Sequence, residues 1–381
     1  MKIIITLISC VFSLQLTLIA QIKYELEDSA FTEGFKRVAI NKKLGYINTQ
    51  RKEITPIIYD NGDVFSEGLA MVVKNNKAGF IDVNGKEVIE LNFDYAQSFS
   101  EGKAIVSQNN KVGFIDKTGK VVIDYKYENA APFVNGVALA VKNKKYGFIN
   151  NLGKEITEFI YDEAYSFVDD RAIVKQNDRY GAIDKTGKLI IPNVYRYPFT
   201  FTDGLAIVQN EEFQFGAINK KGSTVINFKF LEIVLIDKNL MVAAIGKSGS
   251  PLSEGGDFFG KLGYTFQLFN SSGKASNIYQ TIMYRRTQGL SIVRNMDGKY
   301  GIINNEFIET VACQYYDINN AYEEMYIAKD TYGKLGYINA TGKIIIPFIY
   351  NKARWFENGK AQVTLNDKTF YINKKGETVK P

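Results

Sequence analysis

Apolar and polar residues alternate with a period of two along most of this 381-residue chain, in short runs separated by turn residues. Two such runs, 69–73 and 78–82, are joined by Asn75 and Asn76, and Gly85 precedes a third run. Alternation of this kind, interrupted by residues that tolerate tight turns, is typical of antiparallel β-hairpins. The pattern therefore predicts a three-stranded antiparallel meander.

The same pattern returns about every 34 residues. An Asp or Asn that ends the second strand of each meander marks the period, at Asn48, Asp82, Asp116, Asn150, Asp184, Asn219, Asn270, Asn304, Asn339 and Asn373. The gap of 51 between Asn219 and Asn270 is one period of 34 plus a 17-residue insertion, which we place at 244–260. Self-similarity at a fixed period is typical of repeat architectures. We expect about ten copies of one unit over residues 21–381, and each marker side chain to accept a backbone hydrogen bond from two residues on.

Two further columns predict how the units pack. Small residues recur in the first strand at Ala70, Ala104, Ala138, Ala172 and Ala206, while their neighbours vary freely in polarity. A strand with one fixed apolar face buries that face, so we expect the Ala side to be buried and the other to be free. The linkers carry a second column, Phe31, Phe65, Phe99, Phe133, Phe167 and Phe201, with Phe356 in the last unit. We expect each Phe to pack over the Ala face of the adjoining unit.

The fold class that follows is all-β, with meanders stacked as an elongated β-solenoid or superhelix. Helical repeats of the same period would place apolar residues at i, i+3, i+4 and i+7, which this alternation does not do. A closed, propeller-like ring is the alternative, although 34 residues is short for a four-stranded blade.

The repeated motifs also resemble a known family. The pattern Gly-Leu-Ala-x-Val, then x-Gly-Phe-Ile-Asp, then x-x-Gly-Lys is clearest at 68–86, 102–120, 136–154 and 204–219, and Tyr-Asp-Glu-Ala occurs at 161–164. It resembles the WG repeat of bacteria over roughly residues 31–377. The Trp that precedes Gly in that family is replaced here, by Leu44, Ala78, Val112, Tyr146, Tyr180, Phe215, Tyr300 and Leu335. The resemblance implies the repeat architecture and no established chemistry, and any role of a Trp row does not transfer.

The first twenty residues differ from the rest. Lys2 is followed by a short apolar run that ends at Ala20, before polar Gln21. A basic start, an apolar core and a small residue at the end are typical of a secretory signal peptide, 1–20. The prediction is therefore export, to the cell envelope or outside the cell, with no membrane span in the mature chain. Cleavage after Ala20 would leave Cys313 as its one cysteine, without a disulfide partner.

Composition limits the catalytic mechanisms, metal sites and partners that are possible. The chain has no histidine, which excludes Ser-His-Asp and Cys-His catalysis and His-ligated zinc. The net charge of +6 is spread over scattered lysines, which argues against nucleic acid as a partner. Cys313 lies in an apolar context and is interpreted as a buried structural thiol. We predict no cofactor and no metal site.

Three adjacent carboxylate pairs could support acid–base chemistry: Asp169-Asp170, Glu211-Glu212 and Glu323-Glu324. Neighbours on a strand point to opposite faces, so none of them forms a dyad there. We interpret them as solvated loop residues and expect the protein not to be an enzyme.

Two features could carry binding. Insertions in repeat proteins emerge as loops, often on the recognition face, and the candidate residues in this one are Lys247, Ser248, Glu254, Asp257, Phe258 and Phe259. The surplus of Tyr and Phe could also form an exposed ladder for sugar rings or an extended peptide, unless most of these residues are core. The leading hypothesis is an exported, non-enzymatic binding or scaffold module for a protein, peptide or glycan. A structural spacer and a carboxylate-based glycan hydrolase are the alternatives.

Overall fold

The structure is a computed structural model that describes residues 24–237, 239–246, 258–259, 263–285, 289–319 and 321–381. The predicted signal peptide lies outside these residues. The described chain consists of strands, turns and linkers, and forms small antiparallel sheets in chain order. No helix in this part of the chain is long and apolar enough to cross a membrane. The predicted all-β class and the tandem antiparallel meanders are confirmed.

The chain divides into two compact units between Asn193 and Val194. The strands up to this division are β1 (Leu26–Glu27), β2 (Phe35–Ile40), β3 (Lys43–Asn48), β4 (Asn61–Gly62), β5 (Leu69–Lys74), β6 (Lys77–Asp82), β7 (Glu87–Phe93), β8 (Tyr95–Ala96), β9 (Lys103–Gln108), β10 (Lys111–Asp116), β11 (Val121–Tyr127), β12 (Asn129–Ala130), β13 (Val137–Lys142), β14 (Lys145–Asn150), β15 (Glu163–Ala164), β16 (Ala172–Gln176), β17 (Arg179–Ile183) and β18 (Leu189–Tyr195), which runs across it.

The second unit continues with β19 (Leu205–Gln209), β20 (Phe215–Asn219), β21 (Thr224–Phe230), β22 (Glu232–Asp237), β23 (Leu240–Gly246), β24 (Phe258–Phe259), β25 (Tyr264–Asn270), β26 (Ala275–Tyr279), β27 (Thr281–Arg285), β28 (Leu290–Arg294), β29 (Tyr300–Asn304), β30 (Glu309–Tyr315), β31 (Asp317–Ile318), β32 (Tyr326–Lys329), β33 (Leu335–Ile338), β34 (Ile344–Tyr350), β35 (Lys352–Ala353), β36 (Lys360–Leu365), β37 (Lys368–Asn373) and β38 (Thr378–Val379).

The complete repeat has one more strand than the sequence pattern indicates. Strands β4, β5, β6 and β7 form a sheet in that order, and β4 is a two-residue strand that comes from the linker. The linker residues Asn61 and Gly62 pair with Val73 and Val72. The three-stranded meander therefore gains a short edge strand. Its two residues are too few to show an alternation of apolar and polar positions in the sequence.

The turn after the second strand is built as predicted. In Asp116, one carboxylate oxygen accepts hydrogen bonds from the backbone N–H groups of Thr118 and Lys120, at 2.9 and 3.1 Å. The equivalent side chain makes this pair of bonds in all ten marked turns. The marker repeats because a short acceptor side chain satisfies two backbone donors there.

Consecutive sheets pack face to face within each unit. Phe99 of the linker lies in one cluster with Phe80 of the preceding sheet and with Ala104 and Val106 of the next. Its ring centroid is 4.8 Å from that of Phe80. The same arrangement joins Phe133, Phe167 and Phe356 to their neighbouring sheets. The expected packing of these linker Phe rings over the Ala face is therefore confirmed.

The other face of the first strand is buried as well, which corrects the expectation of a free face. In β5, Ala70 and Val72 pack toward the first sheet, while Leu69 and Met71 pack toward the third. An inner sheet has a neighbour on both sides, so both faces lose contact with water. The position of Leu69 can still hold a polar residue, because burial there is incomplete in some repeats. Lys103, its equivalent in β9, is only half-buried.

A bulge in the third strand accounts for the glycine in the second. Val112 pairs with Tyr127, but Phe114 pairs with Ile123, so β11 carries two extra residues opposite Gly113. A Cβ atom on Gly113 would lie 2.6 Å from the carbonyl oxygen of Ile123. Side chains larger than hydrogen are excluded there by close backbone approach.

Two sheets replace the third strand by isolated pairings, and a threonine at the same repeat position marks both. The Thr55 hydroxyl accepts a hydrogen bond from the Tyr46 backbone N–H at 2.9 Å, and Thr157 accepts one from Phe148 at 3.0 Å. Each hydroxyl accepts a backbone hydrogen bond that a carbonyl oxygen of a third strand would otherwise accept. The sequence Glu-Ile-Thr at 53–55 and 155–157 therefore indicates the interruption.

Candidate functional site

Linker carboxylates connect equivalent turns of successive sheets in the first unit. Glu33 accepts hydrogen bonds from the backbone N–H groups of Glu67 and Gly68 at 2.8 and 2.9 Å. Glu67 in turn accepts from Gly102 at 3.0 Å, and Glu101 accepts from Gly136 at 2.8 Å. We call Glu33, Glu67 and Glu101 the carboxylate ladder. Sequence reasoning missed it, although the spacing of 34 between these glutamates was a readable signal.

One of the carboxylate pairs considered for catalysis has the same structural role. Glu323 accepts from the Gly359 N–H at 3.1 Å and pairs with Lys374 at 3.0 Å. The hydrogen bond from Lys374 lowers the pKa of the Glu323 carboxyl, which favours the charged, bonded form. Asp170 pairs with Lys185 at 2.6 Å. Among the described residues, no group of three or more His, Cys, Asp or Glu side chains could hold a metal ion.

Cys313 is held as a thiol. Burial raises its pKa to about 11, and the nearby Glu309 carboxylate adds to this. A thiol with a raised pKa is a poor nucleophile at neutral pH. The side chain is half-buried, and its sulfur lies 2.7 Å from where a Cβ atom on Gly301 would stand. The structural interpretation of Cys313 therefore fits its geometry, with less burial than expected.

Most of the aromatic surplus is core. The largest fully buried side chains are all Tyr or Phe: Tyr46, Tyr127, Tyr279, Tyr326, Tyr337, Phe65, Phe80, Phe99, Phe114, Phe133, Phe148 and Phe230. The position before the second-strand glycine is buried or half-buried in the described repeats. Ala78 pairs with Phe93 and Val112 with Tyr127 across the sheet. A large ring at that position would be a packing residue.

Trp355, the one tryptophan of the chain, forms an exposed pair with Tyr322 in the second unit. The two rings stack with centroids 5.3 Å apart and planes 28° apart. Tyr322 is 48% exposed and Trp355 53% exposed. We call this pair the aromatic platform.

Buried neighbours fix the backbone on both sides of Trp355. The hydroxyl of the buried Tyr337 donates to the carbonyl oxygen of Arg354 at 2.7 Å. Phe356 is buried against the Tyr337 ring, with centroids 5.0 Å apart. The backbone that carries Trp355 is therefore held by buried contacts, which reduces the ordering cost of binding.

The insertion lies between β23 and β25, which pair with each other as an antiparallel hairpin. Residues 244–246, at the start of the predicted insertion, end strand β23. Phe258 and Phe259 form β24, whose backbone pairs with Met283 and Ile282 of β27 in the next sheet. The other candidate residues, Lys247, Ser248, Glu254 and Asp257, lie outside the described residues. A recognition role for this loop stays a prediction.

Three solved structures show weak similarity to this chain. BamB from Moraxella catarrhalis has a TM-score of 0.30 and 12% identity, covering 82% of this chain and 88% of BamB. PorZ, a surface component of the type-IX secretion system of Porphyromonas gingivalis, has a TM-score of 0.28 and 12% identity, with coverages of 93% and 58%. A eukaryotic initiation factor has a TM-score of 0.34 and 9% identity, with coverages of 92% and 90%. TM-scores this low support no inference about the function of this chain. No curated protein matches it significantly.

A repeat family does match. Residues 45–77, 79–111, 113–146, 146–180, 180–212 and 336–368 match the WG containing repeat, and together they cover just over half of the 381 residues. The matched segments contain the second-strand glycine, the Asp or Asn turn and the linker described above. The resemblance inferred from those motifs is confirmed, and this chain belongs to the WG containing repeat family.

Proposed function

We propose that this protein is an exported, non-enzymatic binding module that acts at the cell envelope or outside it. The observation that carries the proposal is the aromatic platform, because its two rings are both about half exposed and stack on each other. Contiguous exposed aromatic surface is typical of recognition sites, where Trp and Tyr often supply most of the binding energy.

The engagement of Glu323 favours a binding role over catalysis. Glu323, next to the platform, is engaged by Lys374 and by the Gly359 N–H. A carboxylate engaged in this way is stabilised in its charged form, which does not suit a general acid at neutral pH. The apolar segment that precedes Gln21 supports the proposal of export.

A glycan array and a peptide array, probed with the purified protein, test the binding role. We expect wild-type protein to bind at least one of the arrays, and Trp355→Ala to lose that binding while its circular dichroism spectrum and melting temperature stay unchanged. Absence of wild-type binding on both arrays would overturn the binding role and favour the spacer.

Export has its own test. Expression of residues 1–381 in a bacterial host should give a mature protein outside the cytoplasm whose first residue is Gln21. Recovery of the intact chain, beginning at Met1, in the cytoplasmic fraction would contradict export.

A further inference from the structure

Tyr322 of the aromatic platform lies at a repeat position that holds serine in two of the other repeats. Tyr322 is equivalent to Ser66, since Glu323 and Glu67, which follow them, both accept from a glycine N–H of the next turn. The Ser66 hydroxyl donates to the Phe99 carbonyl oxygen at 2.9 Å. Ser100, one repeat later, donates to Phe133 at 2.8 Å.

Trp355 likewise replaces a small residue. It precedes the buried linker ring Phe356, as Ser98 precedes Phe99. Ser98 is half-buried and donates to an Asp63 carboxylate oxygen at 2.9 Å. Small hydrogen-bonding side chains can therefore occupy both positions in this fold. The rings of Tyr322 and Trp355 are not needed to complete the packing there.

The surroundings of the platform indicate what it binds. The residues flanking Trp355 in the linker are polar and exposed: Lys352, Arg354, Glu357 and Asn358. Peptides that dock on aromatic surfaces use grooves with apolar walls. A flat ring on a linker with exposed polar residues instead matches a sugar, which has one apolar C–H face and a rim of hydroxyl groups. The electron-rich face of an aromatic ring attracts the partly positive C–H groups of such a face.

We propose that Trp355 and Tyr322 form a saccharide-binding platform on which a pyranose ring stacks. This inference rests on the proposed binding function and specifies its ligand class. Trp355 provides the stacking surface, Tyr322 supports and orients the indole ring, and the exposed polar side chains of the linker bind sugar hydroxyl groups. No bond is made or broken in this role.

Tryptophan fluorescence tests the proposal directly, because Trp355 is the one tryptophan in the sequence. The probes are hexamers of β-linked glucose and of β-linked N-acetylglucosamine, with a proline-rich peptide of similar length as the comparison. We expect at least one saccharide to shift the emission to shorter wavelength and to protect Trp355 from acrylamide quenching, since stacking removes water from the indole face. We expect the peptide to do neither.

Two matched variants separate the platform from general effects of aromatic residues. Tyr322→Ala should weaken saccharide binding about tenfold. Tyr332→Ala removes a tyrosine that is 89% exposed in a turn of the same unit, and should leave the affinity unchanged. Melting temperatures of both variants check that the fold is retained.

The proposal fails if no saccharide in the panel changes the fluorescence, if only the peptide does, or if the two variants bind equally well. The arrays distinguish this failure from that of the binding function. Array binding that Trp355→Ala retains would remove the saccharide platform and leave a binding module, whereas silent arrays would remove both.

Discussion

At the residue scale, two tyrosines show what a buried hydroxyl contributes to this fold. The Tyr46 hydroxyl donates to the Asp63 carbonyl oxygen at 2.7 Å. The buried Tyr127 hydroxyl has no hydrogen-bond partner among the described residues, and burial raises its pKa to about 12. The Tyr127 ring stacks on Phe159, with centroids 5.7 Å apart. Tyr127 therefore contributes to the fold through its ring and not through its hydroxyl group.

This difference predicts opposite effects of the same substitution. Tyr127→Phe removes an unsatisfied polar atom, and should leave the free energy of unfolding unchanged or raise it by up to about 1 kcal/mol. Tyr46→Phe leaves a carbonyl oxygen without its donor and should lower it by about 1 kcal/mol. Urea unfolding followed by circular dichroism measures both. Equal losses in the two variants would show that the Tyr127 hydroxyl has a partner in solution.

Close backbone approach gives a second residue-scale prediction. Gly113→Ala places a methyl group against the Ile123 carbonyl, and should cost about 2–3 kcal/mol because the bulge must move. Gly102→Ala is the control. Gly102 has a φ of +75°, but a Cβ there meets no atom within 4 Å, so only backbone strain of about 1 kcal/mol is expected. Equal urea midpoints for the two variants would contradict the close approach.

At the element scale, the sheets depend on their neighbours because each buried linker Phe contacts two of them. Phe99 contacts the preceding sheet through Phe80 and the next sheet through Ala104. A sheet of three or four short strands must bury its apolar faces against another element. Stability in such arrays resides largely in the interfaces between successive units.

The Phe column therefore contains its own control. Phe99→Ala should lower the free energy of unfolding by about 3–5 kcal/mol, since it opens a cavity between two sheets. Phe31→Ala removes a ring of the same column that is 39% exposed, and should cost less than about 1 kcal/mol. Thermal melting of the two variants compares them. Similar losses would mean that the column does not act through burial between sheets.

At the scale of the whole molecule, acidic side chains are distributed so that the folded state prefers them charged. Hydrogen bonds from Lys43, Lys77 and Lys145 hold the pKa values of the Asp60, Asp94 and Asp162 carboxyls below the ordinary value of 3.8. Each of these carboxylates also accepts a backbone N–H from the first hairpin of the next sheet, that of Asn75, Asn109 and Asn177 respectively. Protonation would weaken contacts between repeats as well as ion pairs.

The sign of the pH dependence follows from these lowered pKa values. A carboxyl group with a lower pKa in the folded state stabilises it above the ordinary value, and this contribution is lost as the pH falls through the folded pKa. We expect the melting temperature to be nearly constant from pH 7 to about 5 and to fall below about pH 4. Circular dichroism melts from pH 7 to 3 measure this. A melting temperature that is constant or rises on acidification would contradict it.

The sequence by itself determined what repeats locally. Strand alternation, the Asp or Asn turn and the linker Phe all belong to one 34-residue unit, and ten copies make such patterns readable. The carboxylate ladder was equally present in the spacing of Glu33, Glu67 and Glu101, and was overlooked because glutamate usually indicates a solvated surface.

Only the tertiary structure decided contacts that the strand alternation does not specify. The second face of β5 is buried because another sheet packs on it. The close approach of Ile123 to Gly113 arises within one sheet, from a bulge in β11. The aromatic platform joins Tyr322 and Trp355, which are 33 residues apart and occupy different positions of the repeat, so no 34-residue column contains both. Its exposure follows from packing, because the same side chains at a first- or second-strand position would be buried between sheets.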